Sequence, residues 1–149
     1  MDLQHWIDLH PVGFVIGFIA YFCAIWLVVC IVVSFMSGWW SLSRRYRTER
    51  TLATTINWAS GSFRHIVGYQ RVLRMTSNAE GLYLSVTKLF RLGHPPLFIP
   101  WSEIGVQPER GFLFLRWRTL LFDRTKRIPL TLRGKTADKI LALRGTTSQ

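Results

Sequence analysis

Few side chains in this sequence stand where catalysis or metal binding would need them. His65 and His94 are isolated in the second part of the chain, without the HxxxH or CxxC spacing of a zinc site. Gly61, Gly68 and Gly81 are scattered, and none is followed by the Lys-Ser or Lys-Thr of a phosphate-binding loop. Four of the six acidic residues in this part fall in predicted turns or at strand ends. We therefore expect no enzyme, no cofactor, no metal and no small-molecule substrate.

The distribution of charge is more informative than any of these residues. Residues 44–149 hold all 19 Lys and Arg residues and six acids, a net charge of +13, whereas residues 1–43 carry −2. Such a cationic part suits a polyanionic partner, either anionic lipid or nucleic acid. Its first seven residues contain four arginines, which we expect to lie against lipid headgroups. The alternative is that they only fix the orientation of the chain and bind nothing specific. These arginines are Arg44, Arg45, Arg47 and Arg50.

An uncharged segment directly precedes the arginines. No Asp, Glu, Lys or Arg occurs from position 11 to 43, and the apolar run covers residues 12–36. As a helix this run would be about 37 Å long, longer than the roughly 30 Å hydrocarbon core of a bilayer. The length predicts a tilted transmembrane helix. A cleaved signal peptide is the alternative, but it requires a cationic leader and a shorter apolar run.

The charges on either side of this helix predict its orientation. Cationic residues follow only its C-terminal end, so we expect a single pass with the N-terminus outside and the C-terminal domain in the cytoplasm. Trp6 on one side, and Trp39 and Trp40 on the other, are expected at the two membrane interfaces. The chain then divides into an extracytoplasmic tail (1–11), a transmembrane helix (12–38), a basic juxtamembrane segment along the headgroups (39–61) and a domain (62–149).

The predicted membrane helix has two contrasting faces. At about 100° per residue, four small residues form a narrow stripe that extends towards Ser34 and Gly38, and large aromatic residues lie nearly opposite. Small residues allow close approach of helix backbones in lipid, so the stripe predicts docking on transmembrane helices of other subunits. Chance is the alternative, because Gly and Ala are common in membrane helices. The small residues are Gly13, Gly17, Ala20 and Ala24, and the aromatic ones are Phe14, Phe18, Phe22 and Trp26.

Short alternating strands follow the basic segment. Turn residues separate them, and a helix capped by Thr136 and stopped by Gly145 is expected at the end. This order is typical of a PH-like split barrel whose terminal helix closes one open end. The predicted fold is therefore a single transmembrane α-helix and a small, mainly-β cytoplasmic domain closed by a C-terminal helix. The predicted strands are 69–75, 82–87, 97–101, 112–117, 119–122 and 127–132.

Three strings within residues 69–104 resemble a known family. They are Gly81-Leu-Tyr-Leu-Ser-Val86, Leu89-Phe90-Arg91 and Gly93-His-Pro-Pro-Leu-Phe-Ile-Pro-Trp-Ser-Glu-Ile104. They resemble a motif of small bacterial membrane-anchored proteins of uncharacterised function with a PH- or GRAM-like domain. The resemblance implies that fold and a place in the bacterial inner membrane, and it implies no catalytic role. A purely structural alternative has Gly93, Pro95 and Pro96 forming a turn, His94 bonding within it and Trp101 filling the core.

Three functions from different classes are compatible with these features. The first is a non-catalytic accessory or structural subunit of a larger membrane complex, with respiratory and photosynthetic assemblies both open as hosts. The alternative is a membrane-anchored module that binds anionic lipid headgroups. Nucleic-acid binding, suggested by residues 116–118 and 124–127, is not expected, because a recognition helix and a stacking motif are missing. The cations proposed for the lipid-binding module are Arg64, Arg71, Arg74, Lys88 and Arg91.

Overall fold

The computed structural model describes residues 11–146, which form three α-helices, eight strands and two short 3-10 helices. The helices are α1 (Pro11–Ser37), α2 (Trp39–Tyr46) and α3 (Gly134–Thr146). The strands are β1 (Ile56–Phe63), β2 (Val67–Ser77), β3 (Gly81–Val86), β4 (Leu97–Pro100), β5 (Ile104–Val106), β6 (Arg110–Phe112), β7 (Leu115–Phe122) and β8 (Ile128–Arg133). The 3-10 helices are Lys88–Phe90 and Trp101–Glu103. The predicted tail, apart from Pro11, and its Trp6 lie outside the described residues.

The first helix is long and apolar enough to span a bilayer. Its 27 residues make it about 40 Å long, and it carries no charged side chain. Side chains are exposed from residue 11 to 25, so the described part of the chain does not cover this half of the helix. Burial begins at Trp26 and becomes complete at Cys30 and Ser34. Only the part of α1 from Trp26 onwards therefore packs on the rest of the described chain.

Gly38 separates α1 from α2. Its φ of +82° is left-handed, a conformation in which a Cβ atom is strained, and glycine adopts it without penalty. An added Cβ would also lie 3.1 Å from Cδ1 of Ile128. The break redirects the chain so that Trp39, Leu42 and Tyr46, all on one face of α2, enter the core of the β domain.

The segment after α1 begins with a short helix. Residues 39–46 form α2, which packs on the β domain, and the expected headgroup contact of the segment 39–61 stays a prediction. Trp39 is fully buried and is a core residue, so its assignment to the membrane interface is wrong, whereas Trp40 is exposed. The apolar spacing at positions 39, 42 and 46 is helical, but the type of residue at position 39 suits an interface equally well.

The eight strands form one antiparallel sheet with the order β4-β3-β2-β1-β8-β7-β5, and β6 pairs with β7 outside this path. The last strand, β8, returns to the first and places Leu132 opposite Gly61 and Leu130 opposite Phe63. The edge strands β4 and β5 are connected by the 3-10 helix Trp101–Glu103. The sheet is therefore nearly closed and barrel-like, and α3 follows it, which confirms the mainly-β domain with a C-terminal helix.

The first strand lies where no strand was predicted. The border expected between residues 61 and 62 falls inside β1, which begins at Ile56. Two register shifts interrupt its pairing with β2, one between Ile56 and Ala59 and one between Ala59 and Gly61. Because such irregularities break the period of two, the segment lacks the alternation by which strands are recognised.

Two further boundaries differ from the prediction. The expected strand 112–117 contains a tight turn at Leu113 and Phe114, and residues 119–122 continue the same strand, β7. The turn has no Gly, Asn, Asp or Pro that would identify it in the sequence. The final helix starts at Gly134, ahead of the proposed cap Thr136, and runs through Gly145.

The C-terminal helix packs against the barrel and buries Ala137 and Ile140 there. Ile140 is buried, and its carbonyl accepts a hydrogen bond of 2.6 Å from the Ser77 hydroxyl of β2. The guanidinium of Arg144 lies 4.9 Å from the ring centroid of Trp101, a cation–π distance. Trp101 itself is buried, and its indole N–H donates to the Asn78 carbonyl at 2.7 Å. Its predicted place in the core is confirmed.

Replacement of Gly81 by alanine tests the packing of the quoted motif. A Cβ at this position would collide with the carbonyl oxygen of Ile99 in β4, a backbone atom that cannot rotate away. We expect Gly81→Ala to lower the free energy of unfolding by about 1–3 kcal/mol. Gly68→Ala is the matched control, because its Cβ would meet no atom within 4 Å. Urea unfolding of the full chain in detergent, followed by tryptophan fluorescence, measures both, and equal destabilisation would contradict the expectation.

Candidate functional site

Buried polar side chains are concentrated where α1 meets the β domain. Of the five buried polar or charged residues in the described part of the chain, Ser34, Ser37 and His94 lie at this contact. Two buried aromatic residues, Trp39 and Tyr69, complete the group. We call these five residues the helix–domain junction. A buried polar group is costly unless it is hydrogen-bonded, so the bonds of this cluster determine how the two parts fit together.

Two serines provide the helix side of the junction. The Ser34 hydroxyl donates to the backbone carbonyl of Gly93, across 59 residues of sequence. The Ser37 hydroxyl donates to the Ser34 carbonyl at 3.1 Å and accepts the Trp39 N–H at 3.3 Å. It also accepts the hydroxyl of Tyr69 at 3.1 Å. The end of α1 is therefore bonded to its own preceding turn, to the first residue of α2 and to β2.

The domain side is formed by Tyr69 and His94. Tyr69 Oη lies 2.7 Å from His94 Nε2, and the tautomer of the imidazole sets which atom donates. The indole N–H of Trp39 donates to the Pro95 carbonyl at 2.9 Å, and its ring meets the His94 ring edge-on, with centroids 5.2 Å apart. The structural alternative had His94 bonding within the Gly-His-Pro-Pro turn. His94 does bond locally, since its Nδ1 is 3.5 Å from the Leu92 carbonyl and its backbone N–H donates to the Arg91 carbonyl at 3.1 Å. Its shortest side-chain contact reaches β2 in addition.

The ionisable pair at the junction is neutral at neutral pH. Burial raises the pKa of Tyr69 to about 12, since a phenolate would lose its hydration. Burial also lowers the pKa of His94, and hydrogen bonds to the carbonyls of Leu92 and Phe90 oppose this only in part. Within residues 11–146, no three His, Cys, Asp or Glu side chains are placed to hold a metal ion. A neutral phenol and imidazole in contact favour a positioning role for this pair.

An apolar cleft of about 290 Å³ runs beside the junction between α1 and β2. On the helix side it is lined by Trp26, Cys30 and Val33. Phe90 stands on the domain side, with its ring centroid 5.2 Å from that of Trp26. Trp26 of the predicted aromatic face therefore contacts an aromatic residue of this chain. The contact places the segment around Phe90 directly beside α1, at the level where the bare part of the helix begins.

The predicted docking stripe points away from the domain. On helical geometry, the residues of α1 that touch the domain lie roughly a third of a turn from the small residues. A Cβ added at Gly17 would meet no atom within 4 Å. Gly13, Ala20 and Ala24 are exposed as well. Ser34 and Gly38, which were expected to continue the stripe, face the chain's own domain, and that extension is wrong.

The four arginines after α1 divide into bound and unbound side chains. Arg45 forms an ion pair with Asp123, at 3.3 Å. Burial alone would raise the pKa of Asp123. The hydrogen bond from the Thr125 N–H and the charge of the Arg45 guanidinium outweigh this effect, so the pKa lies below its ordinary value. Arg44, Arg47 and Arg50 are exposed, and no described carboxylate lies within 4.0 Å of them. Three of the four arginines that were expected to contact headgroups therefore have no ion pair within the described residues.

The cations of the nucleic-acid hypothesis are partly neutralised. Arg118 approaches Asp138 at 3.3 Å and Glu109 at 3.7 Å, and Arg116 approaches Glu109 at 3.5 Å. Arg116 and Arg118 alternate with Trp117 along β7 and reach the same carboxylate. Their charge is directed towards acidic side chains of this chain.

Sequence reasoning missed an exposed apolar turn between β6 and β7. Phe112, Leu113, Phe114 and Leu115 retain 77%, 80%, 93% and 52% of their accessible surface. Four consecutive apolar residues without alternation were the available signal, since a half-buried strand would show period two. Contiguous exposed apolar surface of this kind is typical of contacts with protein or membrane.

Comparison of the chain with protein-family models, with curated proteins and with solved structures finds no match. The PH- or GRAM-like resemblance of residues 81–104 therefore stays a prediction.

The buried imidazole predicts a pH dependence of stability. Because burial lowers the pKa of His94, the unfolded chain takes up a proton near pH 6.5 that the folded chain does not. The free energy of unfolding should therefore fall as the pH drops below about 6.5, by up to roughly 1.4 kcal/mol per pH unit. His94→Gln, which keeps a nitrogen near Tyr69, should remove this part of the slope. Urea unfolding between neutral and mildly acidic pH measures it.

A control histidine separates this effect from general acid denaturation. His65 lies in the exposed turn between β1 and β2, and His65→Gln should retain the slope of the unmodified chain. Loss of the same slope in both variants, or in neither, would contradict the assignment to His94.

Proposed function

We propose that this chain is a non-catalytic subunit of a larger membrane protein complex. In this proposal α1 crosses the bilayer, and its small-residue face docks on a transmembrane helix of another subunit. The observation that carries the proposal is that α1 packs on the chain's own domain only from Trp26 onwards. The stripe that includes Gly13 and Gly17 lies in the preceding part of the helix, which is exposed on every side within the described residues. Close backbone approach is what associates helices in lipid, where apolar burial provides no driving force.

The dimensions of the bare part of α1 support the crossing. Residues 11–29 precede complete burial and would be about 28 Å long, close to the roughly 30 Å of a hydrocarbon core. The remaining residues, with the hydroxyls of Ser34 and Ser37, would then lie at the membrane surface against the domain. This placement moves the proposed inner border from position 38 to a point near Cys30.

The charge distribution supports the proposed orientation. After α1 the chain has exposed arginines, among them Arg44, Arg47 and Arg50, whereas the residues before α1 include two Asp and no Lys or Arg. The positive-inside tendency therefore favours a cytoplasmic β domain. The resemblance of residues 81–104 favours the inner membrane of a bacterium and a PH-like barrel. The protein that binds the docking face would identify the partner subunits and the host assembly.

The rigid connection between helix and domain gives the proposed subunit a mechanical role. A partner helix seated on the bare stripe would fix the angle of α1, and the junction would transfer that angle to the barrel. The exposed apolar turn at residues 112–115 would then be held in a defined position, available as a second contact with the same assembly. Such a subunit clamps its neighbours and performs no turnover.

Bulky substitutions on the bare stripe test the proposal. The variant Gly13→Ile with Gly17→Ile should reduce co-purification of partner subunits at least about tenfold, because two branched side chains prevent close backbone contact. Affinity purification of the tagged full chain in mild detergent, followed by mass spectrometry, measures the partners. The stability of the chain itself should not change, since a Cβ at Gly17 meets no atom of this protein.

The matched control adds bulk to the other side of the same helix segment. Val15→Phe with Ile19→Phe lies on exposed positions away from the stripe and should leave co-purification intact. Recovery of the unmodified protein alone, or equal co-purification with the Gly13 and Gly17 variant, would refute docking through this face.

A further inference from the structure

A second cavity, of about 410 Å³, lies on the outer side of β2 and β3. Three cationic side chains line it, together with hydroxyl groups of neighbouring residues. Its cations are Arg74 of β2 and Lys88 and Arg91 of the following turn. The hydroxyl groups belong to Thr51, Thr54 and Ser85. Guanidinium, ammonium and hydroxyl donors in one concavity form a set that suits the oxygens of a phosphate.

The positive charge of this cavity is not compensated within the described residues. Arg74 donates from Nε to Asn57 Oδ1 at 3.1 Å and from a terminal nitrogen to Thr54 Oγ1 at 3.2 Å, and both acceptors are neutral. These bonds orient the guanidinium without removing its charge. No carboxylate of residues 11–146 lies within 4.0 Å of Arg74, Lys88 or Arg91. The arginines of β7, by contrast, are paired with acids of this chain.

The turn that provides two of these cations also exposes two leucines. Leu89 and Leu92 retain 67% and 55% of their accessible surface. Between them, Phe90 packs on Trp26 of α1, so the turn is fixed where the bare part of the helix begins. Exposed apolar side chains interleaved with Lys or Arg are typical of membrane interfaces, because the apolar groups enter the lipid and the cations stay at the headgroups.

We infer that the 88–92 turn inserts Leu89 and Leu92 into the surface of the bilayer that α1 crosses, and that the cavity beside it binds a lipid phosphate. The ligand class is an anionic phospholipid, held by Arg74, Lys88 and Arg91. Free phosphate has the same donor requirements, but the two exposed leucines favour a ligand attached to apolar chains. The inference rests on the proposed membrane crossing by α1, and it adds a lipid site that helix docking does not require.

Lipid retention by the full chain tests this site. The protein is placed in nanodiscs of phosphatidylcholine with a minor share of phosphatidylglycerol, and native mass spectrometry counts the lipids that stay bound. The unmodified chain should retain phosphatidylglycerol in excess over its share of the bilayer. Lys88→Gln with Arg91→Gln should lower that enrichment about tenfold or more, since each cation near a lipid surface contributes appreciably to binding.

A charge-matched control distinguishes a site from a general effect of net charge. Arg124→Gln with Lys126→Gln removes the same charge from the exposed turn between β7 and β8 and should keep the enrichment. Leu89→Gln with Leu92→Gln, which retains every cation, should reduce it. Equal loss in the charge-matched pair, no loss in the leucine variant, or no enrichment in the unmodified chain would overturn the inference.

Two further outcomes identify the source of the phosphate and separate this inference from the proposed function. Excess inorganic phosphate should leave the bound lipid in place, and its displacement would show a site for free anions. Failure of the chain to enter nanodiscs at all would overturn the membrane crossing and this site together. Entry without phosphatidylglycerol enrichment would overturn the lipid site and leave helix docking standing.

Discussion

The burial of Trp39 directly after α1 is the constraint on which the rest of the structure depends. Its side chain is completely buried, and its indole N–H bonds to the Pro95 carbonyl at 2.9 Å. Gly38 leaves only one residue between the end of α1 and this buried ring. Rotation of α1 about its axis would therefore pull an indole out of the barrel core, and loss of a buried Trp typically costs about 3–5 kcal/mol. Trp39 therefore restricts the orientation of the helix relative to the domain, together with the other contacts of the junction.

A fixed orientation decides which surfaces of the chain remain available to others. Trp26 of α1 is in contact with Phe90, and the part of the helix before it, which includes Gly17, is exposed. The same contact sets the height of the 88–92 turn along the helix, and with it the level of the cationic cavity. The two proposed interactions, helix docking and lipid binding, therefore use different surfaces. The contact between Phe90 and Trp26 sets the position of one surface relative to the other. Neither surface needs the other in order to bind.

The features that were predictable from sequence are the local ones. The length and apolarity of α1 and the alternation in β3 are properties of consecutive residues, and both were read correctly. The strand β1 was missed, because two register shifts remove its alternation. Trp39 was misassigned, since its chemistry suits a membrane interface and a core equally. The contact between Tyr69 and His94 depends on how the barrel closes over 25 residues of sequence, and no spacing rule reveals such a pairing.

The polar character of the junction explains how an apolar helix can hold a single position on the barrel. Apolar contacts alone, such as those between the residues that line the cleft at Val33 and β2, are non-directional. They would tolerate sliding or rotation of the helix. The bond from Ser34 to the Gly93 carbonyl and the contacts of Tyr69 are satisfied in one register only. A shift by one turn would leave buried hydroxyl and imidazole groups without partners, at about 1–3 kcal/mol each. A chain that needed only a tether would not require such a junction, whereas a subunit that presents two surfaces at a defined angle would.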